Sequence, residues 1–351
     1  MTGNTVGPAG LRVRSAVRDL LGAPECAPHR RAGVVGVAIS GGADSLALAD
    51  AAAYCCARLG MATRGLVVDH RMQDGSAATA AWAAETARSL GVAETRVLPV
   101  DVHGAGGPEA AARQARYAAL RAAMPEDGAL VLLGHTRDDQ AETVLLGLGR
   151  GSGPRSIAGM RPLDPPWARP LLDLPRSDTQ LACAELGVRP WHDPHNADPR
   201  FTRSRLRTEV FPLLEDVLQD GVAGALARTA AQLREDLVVL DELAGDLYAK
   251  ARVPGHGDPG TGDVADGLDA ETLGTARAAL RRRAIRHWLH AAGARDLSDG
   301  HLRSVDALVS AWRGQGGVWL PGNLVASRSH GTLRVQHFVS GSVTDRQQEP
   351  D

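Results

Sequence analysis

Lysine is almost absent from this sequence. Lys250 is the single lysine, so arginine supplies nearly all of the positive charge. A phosphate loop of the GK[ST] type would have to use Lys250, and that motif is not present there. The four cysteines form no CxxC pair, and they are Cys26, Cys55, Cys56 and Cys183. This spacing argues against a zinc site, an iron–sulfur cluster and a disulfide framework.

Long apolar segments are also missing. No stretch reaches the roughly 18 apolar residues that a membrane-spanning helix needs. The first ten residues, MTGNTVGPAG, lack the basic region and apolar run of a secretory signal. We therefore expect a cytoplasmic protein that has no membrane partner.

The rest of the composition is that of an ordinary globular protein. Hydrophobic residues make up 44% and charged residues 23% of the 351 residues. This length suggests about two domains. The formal net charge of −2 gives no indication of a nucleic-acid partner, so local basic clusters must provide it.

Strand-like and helical segments alternate in the first part of the chain. Apolar strand-like runs occupy 33–39, 64–69, 96–100 and 130–134. Alanine-rich helical runs occupy about 45–59, 76–90 and 108–124, and another follows at about 138–148. Short apolar strands without polar alternation are buried on both faces, as in parallel sheets. The pattern predicts an α/β fold, a doubly wound parallel sheet with helices on both faces.

The pattern changes after about residue 215. Residues 222–250 and 270–292 are predicted to be helical, and 316–337 to form short strands joined by glycine turns. The segment 254–267 is predicted to be a flexible connection, and the first ten residues to be disordered. We predict an α/β domain over 1–215, a mainly helical domain ending in short strands over 216–340, and a disordered tail over 341–351.

A glycine-rich loop follows the first predicted strand. It consists of Ser40, Gly41, Gly42, Ala43, Asp44 and Ser45. Its backbone N–H groups and the following helix N-terminus would cradle phosphate, with the serine hydroxyls as further donors. A carboxylate there is explained if Mg²⁺ bridges Asp44 to the phosphates, or if Asp44 orients a reacting group. The alternative is a turn in which Asp44 or Ser45 merely caps the helix, and the hexapeptide alone does not decide.

Three further clusters support a site at this edge of the sheet. Asp139 and Glu142 lie three apart on a predicted helix, so they share a face that could bind an amine or Mg²⁺. Arg113 and Arg116 are also three apart and could clamp a phosphate. The loop from Arg150 to Arg155 could contact a nucleic-acid backbone. Taken alone, the acidic pair is better explained as a charged first turn favoured by the helix dipole, and either arginine as part of a solvated helix face. The loop from Arg150 to Arg155 could also merely link two elements.

The order of these motifs resembles a known family. The hexapeptide SGGADS resembles the loop of the PP-loop ATP pyrophosphatases. A longer set of motifs resembles the tRNA(Ile)-lysidine synthases: VDHRM (68–72), ARQARY (112–117), GHTRDDQAET (134–143), RGSGPRSIAGM (150–160), RPLL (169–172) and the segment 191–214. The resemblance is strong over about 33–215, and the helical remainder looks like that family's first C-terminal domain. His195 and Ser204 stand where Ser and Asn are common in the family.

The resemblance implies an ATP-dependent carbon–nitrogen ligase. Such an enzyme adenylates the 2-keto oxygen of the cytidine at the first anticodon position of an isoleucine tRNA and releases pyrophosphate. The ε-amine of free L-lysine then displaces AMP, and the base becomes lysidine. ATP and Mg²⁺ are the implied cofactors, tRNA(Ile) and lysine the implied partners, and a homodimer is considered as an assembly.

The resemblance also assigns residues to this reaction. Asp139 and Glu142 match family residues that recognise the lysine amine. Either Arg113 or Arg116 would stabilise the phosphoryl centre, and we favour Arg116. Asp44 would lie near the metal or the cytidine. The remaining nucleotide contacts would be Asp69 and His70, beside the adenine or ribose, together with Gly134 and His135.

Two arginine-rich segments are candidates for binding tRNA phosphates. Arg203, Arg205 and Arg207 belong to 200–207, which contains no acidic residue. On the predicted helix 277–290, Leu280, Ala284, Ile285 and Trp288 are expected to face inward and Arg282, Arg283 and Arg286 outward. Together with Arg150 and Arg155, these arginines are our predicted tRNA contacts. A solvated helix face is the alternative.

The alternative functions are a PP-loop tRNA thiolase, disfavoured because CxxC is missing, and a catalytically silent tRNA-binding module.

Overall fold

The computed structural model describes residues 6–71, 75–102, 107–151, 153–191, 193, 198–254 and 266–337. The chain divides into two compact units, Met1–Arg234 and Glu235–Asp351. The domain boundary after residue 215 stays a prediction. The predicted tail and most of the predicted connection at 254–267 lie outside the described residues. None of the described helices is long and apolar enough to cross a membrane.

The first unit is built on a six-stranded sheet. Its strands are β1 (Val34–Ile39), β2 (Ala62–Asp69), β3 (Glu94–Pro99), β4 (Leu130–Leu132), β5 (Leu163–Asp164) and β6 (Trp167–Ala168), in the order β3-β2-β1-β4-β6-β5. All neighbours are parallel except β5, which pairs antiparallel with β6. The predicted parallel sheet is confirmed. The sequence did not reveal β5 and β6, because each has only two residues.

The helices of the first unit alternate with these strands. They are α1 (Pro8–Gly22), α2 (Ala27–Arg30), α3 (Ala43–Arg58), α4 (Ser76–Ser89), α5 (Pro108–Ala122), α6 (Arg137–Gly149), α7 (Pro154–Ile157), α8 (Arg176–Glu185), α9 (Thr202–Arg205) and α10 (Phe211–Leu218), and α11 (Val222–Ala251) extends past Arg234. A π-helical turn, Leu206–Val210, joins α9 to α10. The expected disorder of the first ten residues is wrong for residues 8–10. They begin α1, because the Glu185 carboxylate accepts hydrogen bonds from the N–H groups of Ala9 and Gly10.

Burial on both faces of the sheet fixes the position of its strand ends. All six residues of β1 are buried. Val35, Val37 and Ile39 pack toward α1 and α3, where Leu46 and Leu48 are fully buried. On the other side, Val34 and Ala38 belong to a cluster that α5 covers. In such sheets the carboxyl ends of the strands meet at one edge, which is where ligands bind.

The second unit packs helices against one face of an antiparallel sheet. Its strands are β7 (Arg252–Val253), β8 (Gly267–Asp269), β9 (Val318–Leu320), β10 (Leu324–Ser329) and β11 (Thr332–His337), in the order β7-β8-β11-β10-β9. Its further helices are α12 (Ala270–Gly274), α13 (Ala278–Ala291) and α14 (Asp299–Ser310). Trp288 is fully buried in the core, and its indole N–H donates to the Asp266 carbonyl at 2.7 Å. The predicted helix 222–250 and the short terminal strands are confirmed, whereas the predicted helical segment 270–292 divides into α12 and α13.

A buried ion pair joins α13 to α14. Arg281 donates to both carboxylate oxygens of Asp306 at 2.6 and 3.1 Å, and the two side chains are only 10% and 11% exposed. The helical pattern of the sequence assigned the inward face to Leu280, yet Arg281 is buried and Leu280 is half-buried. The charge of Asp306, which lies 25 residues further along the chain, makes that burial possible.

We expect Asp306→Ala to destabilise the second unit strongly. It leaves the Arg281 guanidinium buried without a partner, which costs about 3–5 kcal/mol. The matched control is Asp299→Ala, which removes the exposed partner of Arg303 on the same helix and should cost less than about 1 kcal/mol. Urea unfolding followed by tryptophan fluorescence measures both effects. Equal, small losses in the two variants would contradict this account.

Candidate active site

The glycine-rich loop turns directly from β1 into α3. Helix α3 begins at Ala43 and its N-cap residue is Gly42, so neither Asp44 nor Ser45 is the cap. The Ser45 hydroxyl accepts from the Ser40 N–H at 3.1 Å and donates to the Gly42 carbonyl at 2.9 Å, which holds the loop closed. Gly41 has a φ of +85°, and a Cβ there would come within 3.0 Å of the Trp82 ring. The Ser45 N–H donates to the Gly42 carbonyl at 3.1 Å, so the N–H groups at the start of α3 that an anion could bind are those of Ala43 and Asp44.

Asp44 is held by a helix that the sequence pattern did not reveal. Thr179 on α8 is fully buried and donates its hydroxyl to Asp44 Oδ1. Arg176 on the same helix lies with its Nε 3.6 Å from Asp44 Oδ2. Burial raises the pKa of Asp44 to about 6, although the Thr179 hydrogen bond and the Arg176 charge oppose that rise. The backbone of Gly134 passes so close that a Cβ there would lie 3.1 Å from the Asp44 carbonyl.

Asp139 and Glu142 share one face of α6, as predicted. Asp139 Oδ2 accepts from the Thr136 N–H at 2.8 Å, which closes a capping box at the start of the helix. Its Oδ1 accepts from Arg176 at 2.7 Å and from Arg207 at 2.9 Å. Burial opposes ionisation of Asp139, but the Arg176 charge and the Thr136 N–H outweigh it and lower its pKa.

Glu142 is the more deeply buried of the two carboxylates. Its side chain is 1% exposed, and its oxygens meet Arg207, Arg203 and, at 3.7 Å, Arg176. Arg203 and Arg207 were predicted to contact tRNA, and in this structure they form ion pairs with the acidic pair. Arg205 points elsewhere and pairs with Glu209 at 2.8 Å. Contact of the three with tRNA stays a prediction.

A basic group of residues lies at the same sheet edge. Arg113 and Arg116 extend from α5, as predicted, and His70 and His135 follow β2 and β4. Burial lowers the pKa of His70, and the charge of Arg116 adds to the effect. Burial also lowers the pKa of His135 to about 3; Arg116, Arg169 and Arg113 add to this effect against the charge of Asp139. Both imidazoles are therefore neutral at neutral pH.

Asp69 and His70, predicted nucleotide contacts, lie side by side after β2. The Asp69 carboxylate is buried and accepts a hydrogen bond from the Arg71 N–H at 3.0 Å. His70 Nδ1 is buried and has no hydrogen-bond partner among the described residues. The carboxyl ends of β2, β1 and β4 thus carry the residues that sequence reasoning assigned to the nucleotide.

The remaining predicted tRNA contacts lie outside this group. Arg150 and Arg155 are exposed, at the end of α6 and on α7. Arg282, Arg283 and Arg286 lie on α13 in the second unit. The expected outward orientation is wrong for Arg283, whose side chain is 18% exposed and lies 3.3 Å from Asp241. Sequence reasoning could not place this carboxylate, because it belongs to another helix.

Sequence reasoning missed Arg169, Arg176 and Thr179. Arg169 belongs to the RPLL motif, which was used for the resemblance but not assigned to the site. Arg176 and Thr179 occupy the first turn of α8, a helix that the periodicity of the sequence did not indicate. Their only signal was that Arg176 follows Pro175, a residue common near helix starts.

The fold and the glycine loop define a PP-loop nucleotide-binding protein. The PP-loop domain family matches residues 15–214, and the TilS substrate binding domain family matches residues 268–334. The chain is 55% identical over 337 residues to the tRNA(Ile)-lysidine synthase of Rhodococcus jostii, covering 93% of this chain and 96% of that one. It is 56% identical over 305 residues to that of Mycobacterium tuberculosis, covering 87% of each. The chain therefore belongs to the tRNA(Ile)-lysidine synthase family.

A solved structure shares the fold. The U34-tRNA thiolase NcsA from Methanococcus maripaludis, described with its [4Fe-4S] cluster, superposes with a TM-score of 0.53 over 64% of this chain and 79% of that one. The two sequences are only 18% identical, so the likeness extends to the fold alone.

Asp44→Asn should stabilise the protein in a pH-dependent way. The pKa of Asp44 is about 6 in the folded protein and 3.8 for an aspartate in the unfolded chain. Between these two pH values the folded state therefore binds more protons than the unfolded state. Wild-type stability therefore falls as pH rises from about 4 to about 6. The neutral amide of asparagine removes the cost of burying this charge. The free energy of unfolding of the variant should therefore exceed that of the wild type by little near pH 4 and by up to about 3 kcal/mol above about pH 7.

Thermal or urea unfolding at several pH values measures this difference. Asp19→Asn is the control, because the Asp19 carboxylate is exposed and should show no comparable pH dependence. A gain that is equal at both pH values would show that the buried charge of Asp44 is not the cause.

Proposed function

We propose that this protein joins free L-lysine to the cytidine at the first anticodon position of tRNA(Ile), with consumption of ATP. The names of its relatives and the matched substrate binding domain support a tRNA substrate. The observation that carries the proposal is the buried pair of carboxylates, Asp139 and Glu142, which three arginines contact. It lies beside a phosphate-binding loop, and Arg176 links it to Asp44.

The reaction has two steps with balanced bonds. The cytidine O2 attacks the α-phosphorus of ATP, and the bond to pyrophosphate breaks. The lysine ε-amine then attacks C2 of the base, and the C2–O bond to AMP breaks. The loop from Ser40 to Ser45 would hold the departing pyrophosphate by backbone N–H groups aimed at its developing charge. Arg113 and Arg116 would face the phosphoryl group.

Asp44 is suited to hold a Mg²⁺ ion together with phosphate oxygens. The described residues contain no cluster of three or more His, Cys, Asp or Glu side chains that could bind a metal by themselves. Mg²⁺ at nucleotide sites uses one or two carboxylates and completes its shell with phosphates and water, so Asp44 is sufficient. When bound, Mg²⁺ would neutralise negative charge on the phosphates.

Asp139 and Glu142 would bind the amine of lysine. Both carboxylates already contact cationic nitrogen atoms, those of Arg176, Arg203 and Arg207. A lysine ammonium has the same charge and donates three hydrogen bonds, so it can replace an arginine contact without leaving the carboxylates unpaired. We propose that this exchange selects an amine as the second substrate.

The cysteines disfavour a thiolase. All four are buried, and burial raises the pKa of Cys56 to about 12 and that of Cys183 to about 11. Sulfur transfer needs accessible thiolates or a cluster. The silent-module alternative is disfavoured because Asp44, Asp139 and Glu142 are all in place. Cytoplasmic localisation and a homodimer stay predictions.

Glu142→Gln should raise the KM for lysine at least about tenfold. The substitution keeps the volume and removes one charge-assisted hydrogen bond, worth roughly 1.5–3 kcal/mol. Adenylation of tRNA without lysine should survive better than the complete reaction. Steady-state kinetics with varied lysine and varied ATP measures the two effects separately.

The control is Glu209→Gln, which neutralises an exposed carboxylate on the neighbouring π-helical turn. It should leave both KM values unchanged. If Glu142→Gln raises the KM for ATP and leaves that for lysine unaltered, the amine site is elsewhere.

Replacing Arg282, Arg283 and Arg286 with Gln should weaken tRNA binding. Phosphate contacts give affinity that falls with salt, and the slope shrinks by up to about one for each lost contact. The affinities for ATP and lysine should not change, because the residues proposed to bind these two substrates belong to the first unit. Filter binding at several salt concentrations measures the slope.

Arg303→Gln is the control for the α13 arginines. Arg303 is an exposed arginine of the same unit that pairs with Asp299. A triple variant with wild-type affinity and salt slope would assign the α13 arginines to a solvated helix face. The predicted tRNA contact would then rest on the arginines of 200–207 and of the Arg150–Arg155 loop.

A further inference from the structure

Arg169 is a buried cation without a carboxylate partner among the described residues. It is 6% exposed, and its Nη1 donates to the Arg161 carbonyl at 3.0 Å. Its Nε is buried and has no hydrogen-bond partner in the part of the chain that the structure describes. A buried charge without a counter-ion is unfavourable, and buried donors are nearly always satisfied. The buried Nε–H group of Arg169 is therefore available to donate to a ligand.

The position of Arg169 places this side chain at the ligand edge of the sheet. Arg169 directly follows β6, where the Ala168 carbonyl accepts from the Leu133 N–H at 2.8 Å. His135 follows two residues after Leu133 on the neighbouring strand connection. His135 Nδ1 is also buried, and no described residue forms a hydrogen bond with it. Two adjacent strand ends thus carry two unsatisfied nitrogen atoms.

The charges of other arginines also act on His135. The pKa of His135 is lowered chiefly by burial, and the charges of Arg116, Arg169 and Arg113 contribute, with Asp139 opposing them. Among the described residues, none of these three arginines forms an ion pair with a carboxylate, in contrast to the arginines around Glu142. Several cations, a neutral imidazole and unsatisfied N–H groups suit an anion with several acceptor oxygens.

We propose that Arg169 binds the phosphoryl group that stays on the nucleotide after pyrophosphate leaves, and that His135 faces the same group. This inference rests on the proposed function. The glycine loop follows β1, and β4 lies between β1 and β6. At about 4.8 Å per strand, the loop and Arg169 begin about 10 Å apart along the sheet edge. The loop would therefore hold the pyrophosphate, and Arg169 the α-phosphoryl side.

The test is binding of AMP and of pyrophosphate to the full-length protein by calorimetry. Arg169→Gln should weaken AMP binding at least about tenfold, the effect of losing a charge-assisted hydrogen bond, and leave pyrophosphate binding unchanged. The control is Arg121→Gln, an exposed arginine of α5 whose guanidinium lies 5.8 Å from the Trp167 ring. It should bind both ligands like the wild type. Wild-type AMP affinity in Arg169→Gln would overturn the inference.

A measurement on the wild-type protein covers the case in which Arg169→Gln does not fold. In protein labelled with ¹⁵N-arginine, the Arg169 Nε–H signal is the one missing from Arg169→Lys. Saturating AMP should shift this signal, and pyrophosphate alone should not. A signal that AMP does not move would also overturn the inference.

The outcomes separate this inference from the proposed function. Lysidine formation by the wild type, with AMP affinity unaffected in Arg169→Gln, refutes the role of Arg169 alone. AMP binding through Arg169 in a protein that forms no lysidine refutes the proposed function alone.

Discussion

The ion pairs between arginine and the acidic residues of α6 govern the whole site. Asp139 and Glu142 are buried side by side, and two carboxylates in such a place need opposite charge beside them. Arg176 from α8, and Arg203 and Arg207 from the segment before α10, provide it. The arrangement gives each of the two buried carboxylates an arginine of opposite charge. It also joins segments distant in sequence into one site.

Charge is segregated along the sheet edge. Asp44, Asp139 and Glu142 lie on α3 and α6 and meet Arg176 of α8, while the charges of Arg113, Arg116 and Arg169 act on the neutral His135. A reaction that brings together an anionic nucleotide and a cationic amine needs such a separation. Under the proposed function, each of these two substrates would meet side chains of opposite charge. The parallel sheet makes this possible, because it directs several strand ends to one edge.

The sequence predicted what depends on local pattern. Apolar runs identified β1 to β4, and the spacing of Asp139 and Glu142 placed them on one face of α6. Contacts between distant segments were beyond such reasoning. Thr179 reaches Asp44 across 135 positions, and Arg207 reaches Glu142 across 65. No periodicity reports these pairs, because tertiary packing alone brings them together. The burial of Arg283 beside Asp241 escaped prediction for the same reason.

The proposed function requires that this site makes a carbon–nitrogen bond between lysine and one cytidine. The direct measurement incubates the protein with ATP, labelled lysine and isoleucine tRNA transcripts that carry or lack the first-position anticodon cytidine. We expect the lysine label to appear only in the tRNA that contains this cytidine, with one AMP and one pyrophosphate released for each lysine joined. Pyrophosphate release that does not depend on that cytidine, or tRNA that stays unlabelled, would contradict it.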